Sequence, residues 1–579
     1  MKNRDSSHRP TLTRRALLRG IGTIGGAGAA YMAMQAMGLL GPGSAAARVL
    51  PGAAGSTTEP LPNGSMNGKR AIVVGAGLAG LCTALRLARA GADVSILEAT
   101  GHIGGRSLTL RHGDSFSEWD WDTPSTMTFE QVGDVAPNDR DNYFNAGPGR
   151  IPQHHARLID YCRELKVELE PFLFHDAANL MQNDDWNGGR PVQLRRLKND
   201  LRGYISEMLA KVQNKGALDQ LVDPSEVDAF LGMLQHFGQL SAEGAEMVYL
   251  GASLADDYPR SGYAIDGLTG RQLNPGDVMR PGTPWPTLSL NEVLQSDFWS
   301  SEMFDNLEYF WQATLTQPIG GMDMIVQGFL GAEIPGGRKL RDLVTLDSPV
   351  RAIDMNGDTA SVVVGAVAGN GRKLDADFVV ATLPAPLLAH LGGNFMNPTV
   401  RQILMDVYMS TACKVGWQGR YRFWEEEDRI YGGISWTKDI ISQIWYPSYS
   451  FNSPTGVLTG AYNRLDQASL FQEYSREQRL EVALRGGEKL HPGFRDKVFA
   501  EHGVSIAWAK MPYQAGGWAD ETAYTQPEVF EQMKIASPID QKVFLAGDWF
   551  SYWPGWQIGA LDSAHYATDE IRRIAADRG

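Results

Sequence analysis

Cysteine is scarce in this chain. Its 579 residues hold three, Cys82, Cys162 and Cys413. They form no CxxC pair and no zinc-ligand spacing, so neither metal nor dithiol chemistry is read from them. Cys82 lies in a helical stretch and reads as a small core residue, as do the other two. Positive charge is also short. The net charge is −14; beyond residue 47, 47 basic residues face 66 acidic ones, a net charge of −19. Such a surface argues against a nucleic-acid partner. Net charge speaks to solubility more than to the nature of a pocket. No segment beyond the N-terminal leader is long and apolar enough to span a bilayer, so no stable membrane anchor is expected. Internal repeats are absent. What is present is a globular composition, 43% apolar and 21% charged, at a length that implies two or three domains.

Residues 1–47 read as a targeting segment. Thr13-Arg14-Arg15-Ala16-Leu17-Leu18-Arg19 is a twin-arginine pattern, followed by a weakly apolar Gly/Ala-rich stretch and by Ala45-Ala46-Ala47 as a cleavage signal. Its glycine content makes it a poor permanent span. Export by the twin-arginine route to the periplasm or the exterior is the expectation. Residues 48–68, rich in Gly, Ser, Pro and Asn, read as a linker.

Residues 69–106 are the most informative stretch. Ala71–Val74 is a buried strand, Gly75, Gly77, Ala79 and Gly80 form the turn and helix start, and Glu98 ends the next strand. The turn glycines let backbone approach a pyrophosphate on the helix N-terminus. An acidic residue about 20 positions on accepts hydrogen bonds from a ribose. Gly104-Gly105-Arg106 then moves the choice from NAD toward FAD, since a guanidinium can pair with phosphate oxygens. A glycine turn that only packs a helix on a sheet is the alternative.

Further along, Phe144–Arg163 starts with a Gly-Pro-Gly turn and continues as a helix, and 165–315 is read as mostly helical. Asp223-Pro224-Ser225-Glu226 offers capping chemistry, with Phe230, Leu231 and Leu234 behind it as core. Strand signals return at Val362–Val367 and Phe378–Thr382. Val543–Asp548 is a buried strand running into a glycine turn, and Gly559–Ile574 is a helix.

These motifs resemble the FAD-dependent amine oxidase superfamily, and others narrow the resemblance to its L-amino-acid oxidase branch. Gly147-Pro148-Gly149-Arg150-Ile151-Pro152 looks like the turn whose arginine grips the substrate α-carboxylate; Gly147 and Arg150 would also border the flavin. A planar guanidinium on a rigid turn suits that task; pairing with an internal acid is its alternative. Lys414, before Phe423-Trp424-Glu425, matches the lysine that holds a water at flavin N5. Tyr462 matches the second carboxylate contact. Gly516-Gly517-Trp518 and Gly555-Trp556 match positions that wall the substrate. Pro318–Asp323 resembles a motif that brings backbone near the flavin, and Val350 the residue that meets the adenine. Ala546-Gly547-Asp548 stands where the family has Ala-Gly-Glu, so the ribityl contact departs from the pattern. His154 and His155 read as helix-surface packing. No cysteine follows Cys413, so a C-terminal cysteinyl link is excluded and FAD is expected to be held without a covalent bond.

The implied fold is α/β. A discontinuous Rossmann-like FAD-binding domain (69–125, 335–400 and 535–579) would join a mixed-sheet substrate-binding domain (140–164 and 405–530) and a helical domain (165–315). The implied activity is oxidation of an L-amino acid by dioxygen, giving an imino acid, then a 2-oxo acid and ammonia, with hydrogen peroxide. Alternatives are an amino-acid 2-monooxygenase, an amine or polyamine oxidase, and a non-enzymatic FAD-binding partner. The side chain preferred is not readable: Trp518, Trp549, Trp553 and Trp556 suggest an aromatic pocket, Asp520 and Glu521 a basic substrate. The oligomeric state, a homodimer included, stays open.

Overall fold

The computed structural model describes residues 57–578 except 135–141, 244–245, 252–258, 264–282, 301, 366–370, 521–530, 532, 535–536 and 538. The leader and Glu521 lie outside the described residues. Two sheets organise the chain. The first is five-stranded and parallel. Arg70–Val74 is central, between Asp93–Leu97 and Phe378–Ala381, with Val344–Thr345 and Val543–Leu545 at the edges. The strands are apolar runs because both faces are covered. On one face the helices Leu78–Arg89 and Gln557–Asp577 pack together through Leu81, Leu85, Leu561, Ala564 and Ile571, all fully buried. On the other, an antiparallel sheet (Val350–Asn356, Thr359–Val364 and Arg372–Ala376) packs Ile353 and Val362 against Val379 and Ala381. Segments hundreds of residues apart thus build one nucleotide-binding layer.

The second sheet has seven strands. Their order is Val192–Gln193, Leu180–Gln182, Ile434–Thr437, Gln443–Trp445, Val457–Arg464, Ala412–Gln418 and Val504–Ala507. All neighbours are antiparallel except Leu180–Gln182 with Ile434–Thr437. The helix Arg476–Leu490 covers its back through Ala483, Leu484 and Leu490. Its other face looks toward the ends of the parallel strands.

Three expectations are corrected here. Residues 165–193 are not mostly helical: apart from the 3₁₀ turn Asn187–Gly189, Leu169–Phe172 pairs with Leu315–Pro318, and the next two strands join the seven-stranded sheet. Leu169–Phe172 and Leu180–Gln182 have partners distant in sequence, and Val192–Gln193 adds only two residues at the sheet edge, so no local period marks them. Helix starts at Leu194–Asn214 and resumes at Val227–Gly238, where Asp223 accepts from the Ser225 amide and Leu234 is buried, as the capping pattern indicates. Residues 57–68 are not a free linker. Leu61 and Met66 bury in the core of the parallel sheet, and the Thr57 hydroxyl donates to Asp160 (2.5 Å). Finally, His154 and His155 precede the helix Ala156–Glu164 rather than lying on its surface. His155 is fully buried, its ring 4.9 Å from that of Trp556, and His154 stacks on Tyr309 at 4.2 Å.

Candidate active site

An elongated cavity runs from the C-terminal ends of the parallel strands to the second sheet, where open α/β sheets bind ligands. Gly75, Gly77, Ala79, Glu98, Gly104, Gly105, Arg106, Gly147, Val350, Lys414, Tyr462, Trp518, Gly547, Asp548, Gly555 and Trp556, all picked out from sequence, line it. Gly75 has φ +104°, and a Cβ on Gly80 would lie 2.0 Å from the Gly75 carbonyl oxygen. The helix therefore starts hard against the turn. A Cβ on Gly77 would meet nothing within 4 Å, so the space above it is open. Gly77 caps the helix without a side chain, which leaves amide donors free at its positive end. The buried Glu98 carboxylate is braced by the Ala76 amide (2.9 Å) and by Thr100 (3.0 and 2.9 Å). A free helix N-terminus, open space over glycine and a fixed carboxylate fit a dinucleotide.

Arg106 has a second partner besides any phosphate. It forms a two-pronged ion pair with Asp548 and donates to the Gly517 carbonyl (3.2 Å), while Asp548 accepts from the Gly555 amide (3.2 Å). Asp548, one methylene shorter than the residue of the resembling motif, thereby ties the Gly104-Gly105-Arg106 turn to both walls beside Trp518. Gly555, at φ +79°, packs on the Trp518 ring; a Cβ there would come within 3.2 Å of it.

Lys414 and Tyr462 face each other on adjacent antiparallel strands. Lys414 is 3% exposed. Its Nζ donates to the Asn145 carbonyl (3.0 Å) and the Gly147 carbonyl (2.5 Å) and lies 5.0 Å from the Tyr462 ring centre. Burial, and then the charge of Arg150, push the ammonium down to about 7. The Pro318–Asp323 motif does not border the cavity. The Met322 amide donates to Asn145 Oδ1 (3.0 Å), which places the motif behind the turn that holds Lys414.

Arg150 stands in an aromatic box that the sequence did not announce. Its guanidinium carbon is 4.1 Å from the Trp311 ring centre, 4.8 Å from Trp445, 5.2 Å from Phe174 and 5.9 Å from Phe172. Nε is buried without a partner, and among the described residues no carboxylate lies within ion-pair distance. Desolvation pushes the group down to about 9. A Cβ on Gly149 would meet the Trp445 ring at 2.5 Å, so glycine there is what lets the indole lie under Arg150. Trp311 also reaches Trp556, 5.3 Å away, which links the box to the cavity wall. Trp549 is not a wall: it is 1% exposed, with Nε1 bonded to the Leu383 carbonyl (2.9 Å). Trp553 packs against His154 and Phe310.

A nucleotide cradle that meets a buried lysine and a tyrosine across one cavity defines a flavin-dependent oxidoreductase; Arg150, expected to border the flavin, does not line this cavity but is joined to its wall through Trp311 and Trp556. Residues 78–572 match the family described as flavin containing amine oxidoreductase, and the chain belongs to that family. It is similar to the L-amino-acid oxidase of Siganus canaliculatus, 26% identical over 517 residues, covering 87% of this chain and 85% of the relative. The L-amino-acid oxidase of Demansia vestigiata is 25% identical over 523 residues, 88% of each chain. Among solved structures, cyclohexylamine oxidase from Brevibacterium oxydans has a TM-score of 0.54 at 16% identity, over 87% of this chain and 99% of its own. Among the described residues no helix is long and apolar enough to cross a membrane.

Proposed function

We propose that the protein is an FAD-dependent L-amino-acid oxidase. The carrying observation is Arg150, a guanidinium desolvated among aromatic rings, with Asp305 felt only through space and no carboxylate at ion-pair distance among the described residues, on the turn whose carbonyls hold Lys414. A buried charge without a partner is costly, and an incoming carboxylate satisfies it with two parallel hydrogen bonds. Tyr462 offers its phenol to the same carboxylate. The amino group binds in neutral form beside the Gly555-Trp556 backbone, so no side chain need serve as base. Trp518 and Trp556 exclude water from Cα. A bound flavin supplies the acceptor for the electron pair and passes it to dioxygen. Lys414 places a cation where negative charge develops. None of Cys82, Cys162 and Cys413 lines the cavity, and all are buried, which supports non-covalent binding.

The domain division given by sequence is part of this reading, with the helical region restricted to residues after 193. Export by the twin-arginine route is also proposed, on the Arg14-Arg15 pattern alone. Replacing both arginines by lysine should trap the precursor inside the cell; normal export would reject the leader. Peroxide release with the twenty L-amino acids and a few amines tests the activity. Oxo acid with peroxide supports the oxidase. Amide with carbon dioxide indicates a monooxygenase, and turnover of amines alone removes the amino-acid assignment.

A further inference from the structure

Lys414 borders two spaces. One is the cofactor cavity. The other is a crevice of about 40 Å³ on the far side of the Asn145–Gly149 turn, lined by Gln317, Trp445, Ser448 and Thr459 as well as by Lys414. A water needs roughly 10–15 Å³ of such space, so the crevice has room for about three. Its walls carry the polar partners that waters require. Thr459 reaches it because of a local irregularity. The pairing of Val457–Arg464 with Ala412–Gln418 slips by one residue at Gly460, so Lys414 faces Tyr462 while Gly416 faces Thr459. The bulge turns Thr459 onto the same face as Lys414. Without it, Thr459 would point into the core behind the sheet.

An ammonium has three hydrogens to donate. The Asn145 and Gly147 carbonyls take two from Lys414, and among the described residues no third acceptor bonds it. A group 97% removed from solvent with a donor unspent is a place for ordered water. Chemistry also asks for one. Reduction of dioxygen to hydrogen peroxide consumes two electrons and two protons. The reduced cofactor carries both electrons and one proton; the other proton must come from solvent. Substrate and aromatic walls close the cofactor side during turnover, so a separate route has a use.

We propose that the crevice holds a short chain of waters that delivers this proton to dioxygen through Lys414 Nζ, with Thr459 as a positioning residue for the chain. Nζ gives up one N–H proton as the peroxide forms, and a crevice water restores it. The proposal rests on the assignment of Lys414 to the oxygen reaction.

Two Thr459 variants of the holoenzyme test it. Thr459→Val keeps the shape and removes the hydroxyl; Thr459→Ile fills part of the crevice. A crystal structure of the wild-type holoenzyme should show at least one ordered water bonded to Nζ from the crevice side, and Thr459→Ile should lose it. Anaerobic flavin reduction by substrate should stay as in wild type in both variants. Reoxidation by oxygen should slow by about tenfold in Thr459→Ile, less than the ~10²-fold or more that a positioned proton donor itself contributes because Lys414 stays in place, and should show an altered solvent deuterium effect in Thr459→Val. A dry crevice overturns the proposal. So does unchanged reoxidation in folded, flavin-loaded Thr459→Ile, or equal slowing of both half-reactions. Lys414→Met separates the two claims. If it slows reoxidation while Thr459→Ile does not, only the crevice fails; if it leaves reoxidation unchanged, the reading of Lys414 fails first.

Discussion

Lys414 and Tyr462 form a cross-strand pair whose ammonium lies 5.0 Å from the phenol ring, over the same cavity that begins at Gly75. Lys414→Met should therefore slow reoxidation of the reduced flavin more than its reduction. Stopped flow separates the two steps. Because burial and Arg150 push the ammonium down to about 7, the charged form is present below that pH and lost above it. Wild-type reoxidation should fall as pH rises through about 7, and the Lys414→Met variant should lose that dependence.

Tyr462→Phe removes one neutral donor and leaves the ring. A hydrogen bond of that kind is worth about 0.5–1.5 kcal/mol, so kcat/KM for an L-amino acid should fall by up to about tenfold. The matching decarboxylated amine should be affected less. Steady-state kinetics on the pair of substrates checks this.

Gly149→Ala should act at a distance. The added methyl would meet the Trp445 ring at 2.5 Å and displace the indole on which Arg150 rests. Misplaced orienting groups can cost about 10²-fold. The variant should keep its flavin, read by absorbance, and lose kcat/KM for amino acids.

A stability prediction follows from Glu118 and Arg479. Each is at most 1% exposed; they pair at 2.6 Å, and Glu118 also accepts from the Ala507 amide (2.7 Å). Removing one partner of a buried pair strands the other, at a cost of about 3–5 kcal/mol. Glu118→Ala should lower the denaturant midpoint clearly, and the apolar double variant Glu118→Leu with Arg479→Met should recover much of the loss.

The nucleotide cradle was legible in sequence because its parts are local. Strand, turn, helix and Glu98 follow within 30 residues, and each carries its own signal in glycine spacing and apolar runs. Arg150, Lys414 and Tyr462 were legible through short motifs around them. The box about Arg150 was not. Phe172, Phe174, Trp311 and Trp445 come from three separate segments and read individually as core. The strands Leu169–Phe172 and Leu180–Gln182 were missed for a related reason, since they pair with Leu315–Pro318 and Ile434–Thr437. The ion pair of Asp548 with Arg106, 442 residues away, was not legible because such a long-range pairing leaves no trace along the chain.

The central claim is that Arg150 holds an α-carboxylate, and one comparison tests it most directly. kcat/KM should be measured for an L-amino acid and its decarboxylated amine, in wild type and in Arg150→Ala. The wild type should prefer the amino acid. Arg150→Ala should narrow that preference by at least about tenfold, the factor equivalent to roughly 1.4 kcal/mol and the low end of a charge-assisted contact. A wild type that prefers the amine, or a variant that loses both substrates equally, would contradict the account.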